Sequence, residues 1–145
     1  MQRFETAGLR QELRSHSPKP LARVTLLTMQ PAPVKPTVTL EAVNQLDVRV
    51  GTIDAVNNVE GSEKLVALTV NFGDHKRTIL AGMKRERVNC KDLEHRQALF
   101  IINLEPRRMA GILSEGMLFD IGYADGITPA LAIPETHVPD GARAG

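Results

Sequence analysis

The chain has 145 residues, of which 42% are hydrophobic and 24% charged, with a formal net charge of +1. This length suits one domain with some chain to spare, and the balance excludes a collagen, a low-complexity polymer and a wholly disordered chain. Aromatics make up 3%, with one tyrosine and no tryptophan, so the core must be aliphatic. A single cysteine, Cys90, excludes an intramolecular disulfide and any cysteine-rich zinc module. No apolar run approaches the roughly 18–20 residues of a membrane helix, and no secretory signal is evident, so no membrane insertion and a cytoplasmic location are expected.

The charge is unevenly spread. Residues 1–37 hold six Lys and Arg against two Glu, a net of +4, while residues 38–145 hold twelve against fifteen, a net of −3. The first segment also carries five of the nine prolines and shows no sustained apolar period. It reads as a flexible basic tail, with Met29 as a plausible internal start. The folded domain is expected over residues 38–145.

Within that domain, residues 39–46 read as one or two helical turns capped by Thr39, with Leu40, Val43 and Leu46 on one face. Residues 48–56 read as a strand, and Gly51 inside it predicts a bulge or bend. Turn signals follow at residues 57–62. Residues 65–72 alternate, placing Val66, Leu68, Val70 and Phe72 on one face of a second strand. A short strand at 77–81 and a short helix at 90–96 come next. The apolar run 98–104 predicts a strand buried on both faces. Strands at 117–123 and 130–133 complete the set. Several short strands, little helix and no βαβ alternation point to an all-β antiparallel barrel or sandwich. The bend glycine and the helix between the third and fourth strands suit a five-stranded Greek-key barrel, the OB-fold, with short helices and extra C-terminal strands, although periodicity alone does not separate it from a small sandwich.

Catalytic chemistry finds no support in the sequence. There is no glycine-rich phosphate loop. His16, His75, His95 and His137 are not at metal-ligand spacing, so no metal site or cofactor is expected. The run Gly111-Ile112-Leu113-Ser114-Glu115-Gly116 has the wrong serine spacing for a nucleophile elbow. The residues therefore read as a non-enzymatic binding module.

Three basic clusters stand at strand ends or loops: Lys76-Arg77, Lys84-Arg85 with Arg87, and Arg107-Arg108. On a small barrel such clusters can converge on one face and displace the counterions of a phosphate backbone. Six such contacts would weaken binding by roughly 10³–10⁵ between about 50 and 200 mM salt. The competing reading is solvated loops offset by Glu86, Glu94 and Glu105. Scarce aromatics disfavour base stacking on a single strand and favour a folded RNA read by shape and backbone.

Two segments then carry a resemblance. Leu46-Asp47-Val48-Arg49-Val50-Gly51-Thr52-Ile53 resembles the opening motif of the tRNA-binding OB-fold family. Asn103-Leu104-Glu105-Pro106-Arg107-Arg108-Met109-Ala110-Gly111-Ile112-Leu113-Ser114-Glu115-Gly116-Met117 resembles its long second motif. Ser62-Glu63-Lys64-Leu65 and Ile79-Leu80-Ala81-Gly82-Met83 fall between them in the family order. The resemblance covers roughly residues 38–145. The family includes free-standing tRNA-binding proteins, a C-terminal appendage of methionyl-tRNA synthetase and a domain of the phenylalanyl-tRNA synthetase β subunit.

The resemblance implies a tRNA face made of Lys64, Met83, Lys84, Asn103, Arg107, Arg108, Ser114 and Met117. It implies a homodimer, with residues 131–138 in the interface, and an aminoacyl-tRNA synthetase as a further partner. Ala81 and Ala110 depart from the serine and the basic residue found there in many tRNA-binding members. Residues 106–111 and 134–143 lean toward the CsaA secretion-chaperone branch, which implies the alternative of an export chaperone binding extended, unfolded precursors on the same fold.

Overall fold

The computed structural model describes residues 29–145, so residues 1–28 of the expected tail lie outside the described residues. The chain enters through a short helix, α1 (Leu40–Asn44), whose first turn is capped as expected: the Ala42 N–H donates to Thr39 Oγ1 at 3.2 Å. Four principal strands follow: β1 (Val48–Asn58), β2 (Val66–Asn71), β3 (Lys76–Ala81) and β4 (Gln97–Ile101). A 3-10 turn (Cys90–Leu93) stands where a short helix is predicted, capped by the Asn89 side chain. Six shorter strands complete the chain: β5 (Arg107–Met109), β6 (Ile112–Ser114), β7 (Met117–Leu118), β8 (Asp120–Ile121), β9 (Ala130–Leu131) and β10 (Arg143–Ala144).

The main sheet is antiparallel throughout, with the order β3-β2-β1-β4-β7 and β10 paired to the start of β1. The long first strand makes the barrel. Its Val48–Thr52 half pairs with β4 and its Thr52–Asn58 half pairs with β2, so the strand belongs to both sides of one curling sheet. The fold is an all-β, OB-like barrel, as the strand pattern predicts.

Alternation on β2 works as read: Val66, Leu68, Val70 and Phe72 are all buried. They meet Ile53, Ile79, Ala98 and Phe100 in one aliphatic core. Phe72 and Phe100 meet edge to face, with centroids 5.6 Å apart.

Four expectations are corrected. The bulge in β1 falls between Ile53 and Ala55, not at Gly51. Gly51 is required for close packing, because a Cβ there would sit 2.6 Å from Val70 Cγ1 and 2.8 Å from the Phe72 ring. At the bulge the Glu94 carboxylate accepts the Val56 N–H at 3.1 Å. The run 98–104 pairs only as far as Ile101, because Asn103 turns to bind the α1 segment. The predicted strand 117–123 is two strands split at Phe119, since β7 pairs with β4 and β8 with β9. The expected strand 130–133 pairs only through Leu131.

The C-terminal stretch straps the barrel. The buried Gln97 donates through Nε2 to the Val138 carbonyl (2.6 Å) and to Asp140 (3.0 Å), and its Oε1 accepts the Val138 N–H (3.1 Å). Thr52 Oγ1 donates to the same Asp140 at 2.6 Å. Among the described residues no helix is long and apolar enough to cross a membrane.

Candidate nucleic-acid interface

The long second motif builds two devices, a seam and a hairpin. The strand path leaves β3 and β7 as its ends, and the segment between β6 and β7 closes the gap. Ser114 Oγ accepts the Leu80 N–H (3.0 Å) and donates to the Gly116 carbonyl (3.2 Å). The Glu115 N–H donates to the Thr78 carbonyl (2.9 Å), and the Thr78 N–H donates back to the Glu115 carboxylate (3.1 Å). Side chains thus supply ladder bonds that a regular strand would take from backbone. Arg77 bolts the same seam, its Nη1 donating to the carbonyls of Ile102 (2.5 Å) and Glu115 (3.1 Å).

The hairpin joins β5 and β6 through Ala110 and Gly111, with Met109 opposite Ile112. Both turn residues have positive φ, 49° and 80°, the signature of a type I′ two-residue turn. Arg107 pairs in register with Ser114, and Arg108 with Leu113. Successive strand residues face opposite sides. Arg107 therefore shares the Ser114 face, toward β3, while Arg108 lies on the other and folds back to the Gly111 carbonyl (3.2 Å). Both guanidinium groups are exposed, and that of Arg107 has no hydrogen-bond partner among the described residues.

Lys64 and Lys84 are brought together where β2 begins and β3 ends. The Lys84 N–H donates to the Lys64 carbonyl (3.1 Å), and Lys84 Nζ reaches the Ser62 carbonyl (3.3 Å). Met83 is buried in the core, yet it also lines a surface cavity of about 200 Å³ with Gly82, Arg87, Met117 and Leu131. Met117 is exposed there, so the two methionines form floor and rim of one depression. Glu86 and Asp120 line it as well.

Asn103 lies apart from this group. Its Oδ1 accepts the Asp47 N–H and its Nδ2 donates to the Gln45 carbonyl, both at 2.7 Å, which fixes α1 to the barrel. Asp47 receives a fork from Arg49 (2.9 and 3.1 Å) and another from Arg143 (3.2 and 3.3 Å). Arg49 and Arg143 are register partners, so the carboxylate separates two cations that would otherwise repel. The Arg49 hydrogen bond, with that from Arg143, holds the Asp47 carboxyl below its ordinary range despite some burial.

The three basic clusters are therefore not equivalent. Lys76 is paired with Asp54 (2.8 Å) and Arg77 is used inside the seam. Arg85 meets Glu63 (2.9 Å), and Arg87 donates to the Pro129 carbonyl (3.1 Å). Around β3 and the hairpin that its seam holds, Lys64 and Arg107 have no side-chain partner among the described residues, while Lys84 and Arg108 donate to the nearby carbonyls of Ser62 and Gly111. In the sequence Asp120 and Tyr123 read as one strand, whereas the structure ends β8 at Ile121 and sets Tyr123 on a turn beside Lys64, flanked by Gly122 and Gly126, both with positive φ. Among the described residues no cluster of three His, Cys, Asp or Glu could hold a metal ion.

A nearly closed OB-like barrel with a basic rim, a depression of mixed polar and apolar lining and a strapped C-terminus is the architecture of the OB-fold. The family model described as "Putative tRNA binding domain" matches residues 48–143, and the chain belongs to that family. The methionine–tRNA ligase of Nitrosomonas europaea is 32% identical over 132 residues, 91% of this chain. That match is longer than residues 38–145 and so reaches into the preceding basic segment. The chain spans only 18% of that ligase's length. A MetRS-related protein from Pyrococcus horikoshii superposes with a TM-score of 0.71 at 26% identity, covering 77% of this chain and all of the other. The chaperone CsaA of Bacillus anthracis shares the fold, with a TM-score of 0.63 at 24% identity over 76% of this chain and all of the other.

Proposed function

We propose that the chain is a non-catalytic binding protein for folded tRNA, recognising shape and phosphate backbone and adding no chemistry of its own. The observation that carries this reading is the family match over residues 48–143, which contains the whole seam, hairpin and depression. Phosphates meet Lys64, Lys84, Arg107 and Arg108. Met117 gives adaptable apolar contact at the rim. Met83, Ser114 and Asn103 act by holding that surface in shape, through core packing, the seam and the α1 anchor. The protein works in the cytoplasm, where tRNA is charged, as a homodimer and beside an aminoacyl-tRNA synthetase. The exposed Ile133 within residues 131–138 suits the dimer contact.

Titrating the full chain with mixed tRNA across a salt series tests this. Four phosphate contacts imply a loss of about a hundredfold between roughly 50 and 200 mM salt. That is gentler than six contacts would give, because Lys76, Arg77, Arg85 and Arg87 each have a partner within the chain and only Lys64 is added to the clusters. An export chaperone on this fold would instead bind apolar extended peptides with little salt dependence. Flat, peptide-selective binding and no retention of tRNA would replace the tRNA reading with that one.

A further inference from the structure

A second groove, of about 600 Å³, runs beside that depression, and its lining includes Ser62, Lys64, Arg85, Glu86, Asp120 and Tyr123. Its size is within the range of small-ligand sites. We propose that it takes one unstacked nucleotide of an RNA strand: the base lies on the Tyr123 ring and the phosphate between Lys64 and Arg85. This rests on the tRNA reading for the source of the strand.

Three observations carry it. First, Tyr123 serves no packing role visible in the fold. It is the chain's only tyrosine and is 68% exposed, and among the described residues its ring pairs with no other aromatic and its hydroxyl with no hydrogen-bond partner. Yet its backbone is fixed. The turn that presents it is closed by Asp125 N–H to Gly122 carbonyl (3.0 Å), Gly126 N–H to Tyr123 carbonyl (3.2 Å) and Ile127 N–H to Gly122 carbonyl (3.2 Å). The Asp125 carboxylate also accepts the Ala32 N–H (2.8 Å). An exposed ring on a fixed backbone turn offers a face on which a base can stack.

Second, the cations at the groove are available. The Lys64 amine has no partner among the described residues, and Arg85 is tied only to Glu63, in a pair exposed on both sides. Such surface pairs are weak, so a phosphate can replace the carboxylate. Third, two carboxylates, Asp120 and Glu86, share the groove with these cations. The phosphate is met by the two cations, which leaves the carboxylates to accept from an exocyclic N–H₂ of the base. The groove therefore favours adenine, cytosine or guanine over uracil.

The lone tyrosine and absent tryptophan make intrinsic emission a reporter of this site alone. Full-length protein titrated with short oligo-A, oligo-C or oligo-U is expected to show saturable tyrosine quenching with oligo-A and oligo-C, and weaker quenching with oligo-U. Anisotropy of labelled oligo-A should show affinity kept in Tyr123→Phe and lowered on the order of tenfold in Tyr123→Ala. Asp120→Asn should narrow the preference for oligo-A over oligo-U. Quenching by AMP at the same concentrations as oligo-A would overturn the strand as the source. Unchanged emission, or wild-type affinity in Tyr123→Ala, overturns the groove. Filter retention of tRNA separates the two proposals. If tRNA binds with a steep salt slope while Tyr123 stays silent, the groove fails and the tRNA reading stands. If oligo-A quenches Tyr123 while tRNA is not retained, the reverse holds.

Discussion

Arg107 and Arg108 are neighbours in sequence with opposite situations in the fold. Arg107 faces the Ser114 side of the hairpin with its guanidinium unpartnered among the described residues, while Arg108 donates to the Gly111 carbonyl within its own turn. A phosphate meeting Arg107 gains a charge-assisted bond at no internal cost, whereas one meeting Arg108 must compete with an existing hydrogen bond. Arg107→Ala should therefore weaken tRNA binding at every salt concentration and reduce the magnitude of the log K against log salt slope by about 1. Arg108→Ala should weaken binding by clearly less, because its phosphate contact replaces the bond to the Gly111 carbonyl. Equal effects would mean that the hairpin turns both side chains onto the ligand. The dipeptide alone carries no such distinction: a pair of arginines in sequence reads as one basic cluster. Only the register against Ser114 and Leu113 separates them.

At the scale of elements, the strands that bury a face were legible and those that bury none were not. Val66, Leu68, Val70 and Phe72 alternate because one side of β2 is core, and the strand follows from them within a residue or two. The β5–β6 hairpin has no such face. Its residues are exposed apart from Met109, Ile112 and Ser114, and its turn begins with alanine where the strong signals are Asn-Gly or Asp-Gly. β10 is two residues long, too short to have a period, and is held by pairing to β1. The seam was hidden for another reason. The resemblance implies a ligand contact at Ser114; in the structure Ser114 and Glu115 supply hydrogen-bond partners for β3. Ser114→Ala leaves the buried Leu80 N–H without its acceptor, a loss of about 1–3 kcal/mol. Urea melts should show the lower stability, and hydrogen exchange should show faster exchange at Leu80 than at Leu68 in the core of β2. Unchanged protection at Leu80 would mean that the seam closes without the serine.

For the whole molecule the charge asymmetry sets the terms of binding. The barrel portion, residues 38–145, is net −3, so its attraction for a polyanion is local to the rim around β3 and the hairpin. The preceding 37 residues add +4, enough to turn the repulsive far field of the barrel into a weakly attractive one. That contribution acts over a Debye length of about 10 Å at 0.1 M salt and fades as salt rises, while contacts at the rim persist longer. Removing residues 1–37 should leave a cooperative unfolding transition, because the core draws on residues from Ile53 to Leu118. The melting temperature should fall only slightly, through loss of the Ala32 bond to Asp125. Binding of tRNA should weaken most at low salt, and the two affinity curves should converge toward about 0.2 M. A truncated chain that loses its cooperative transition would instead make the segment part of the folding unit. Parallel curves at all salt concentrations would mean that it makes short-range contacts of its own, an outcome in keeping with a relative whose similarity reaches into it.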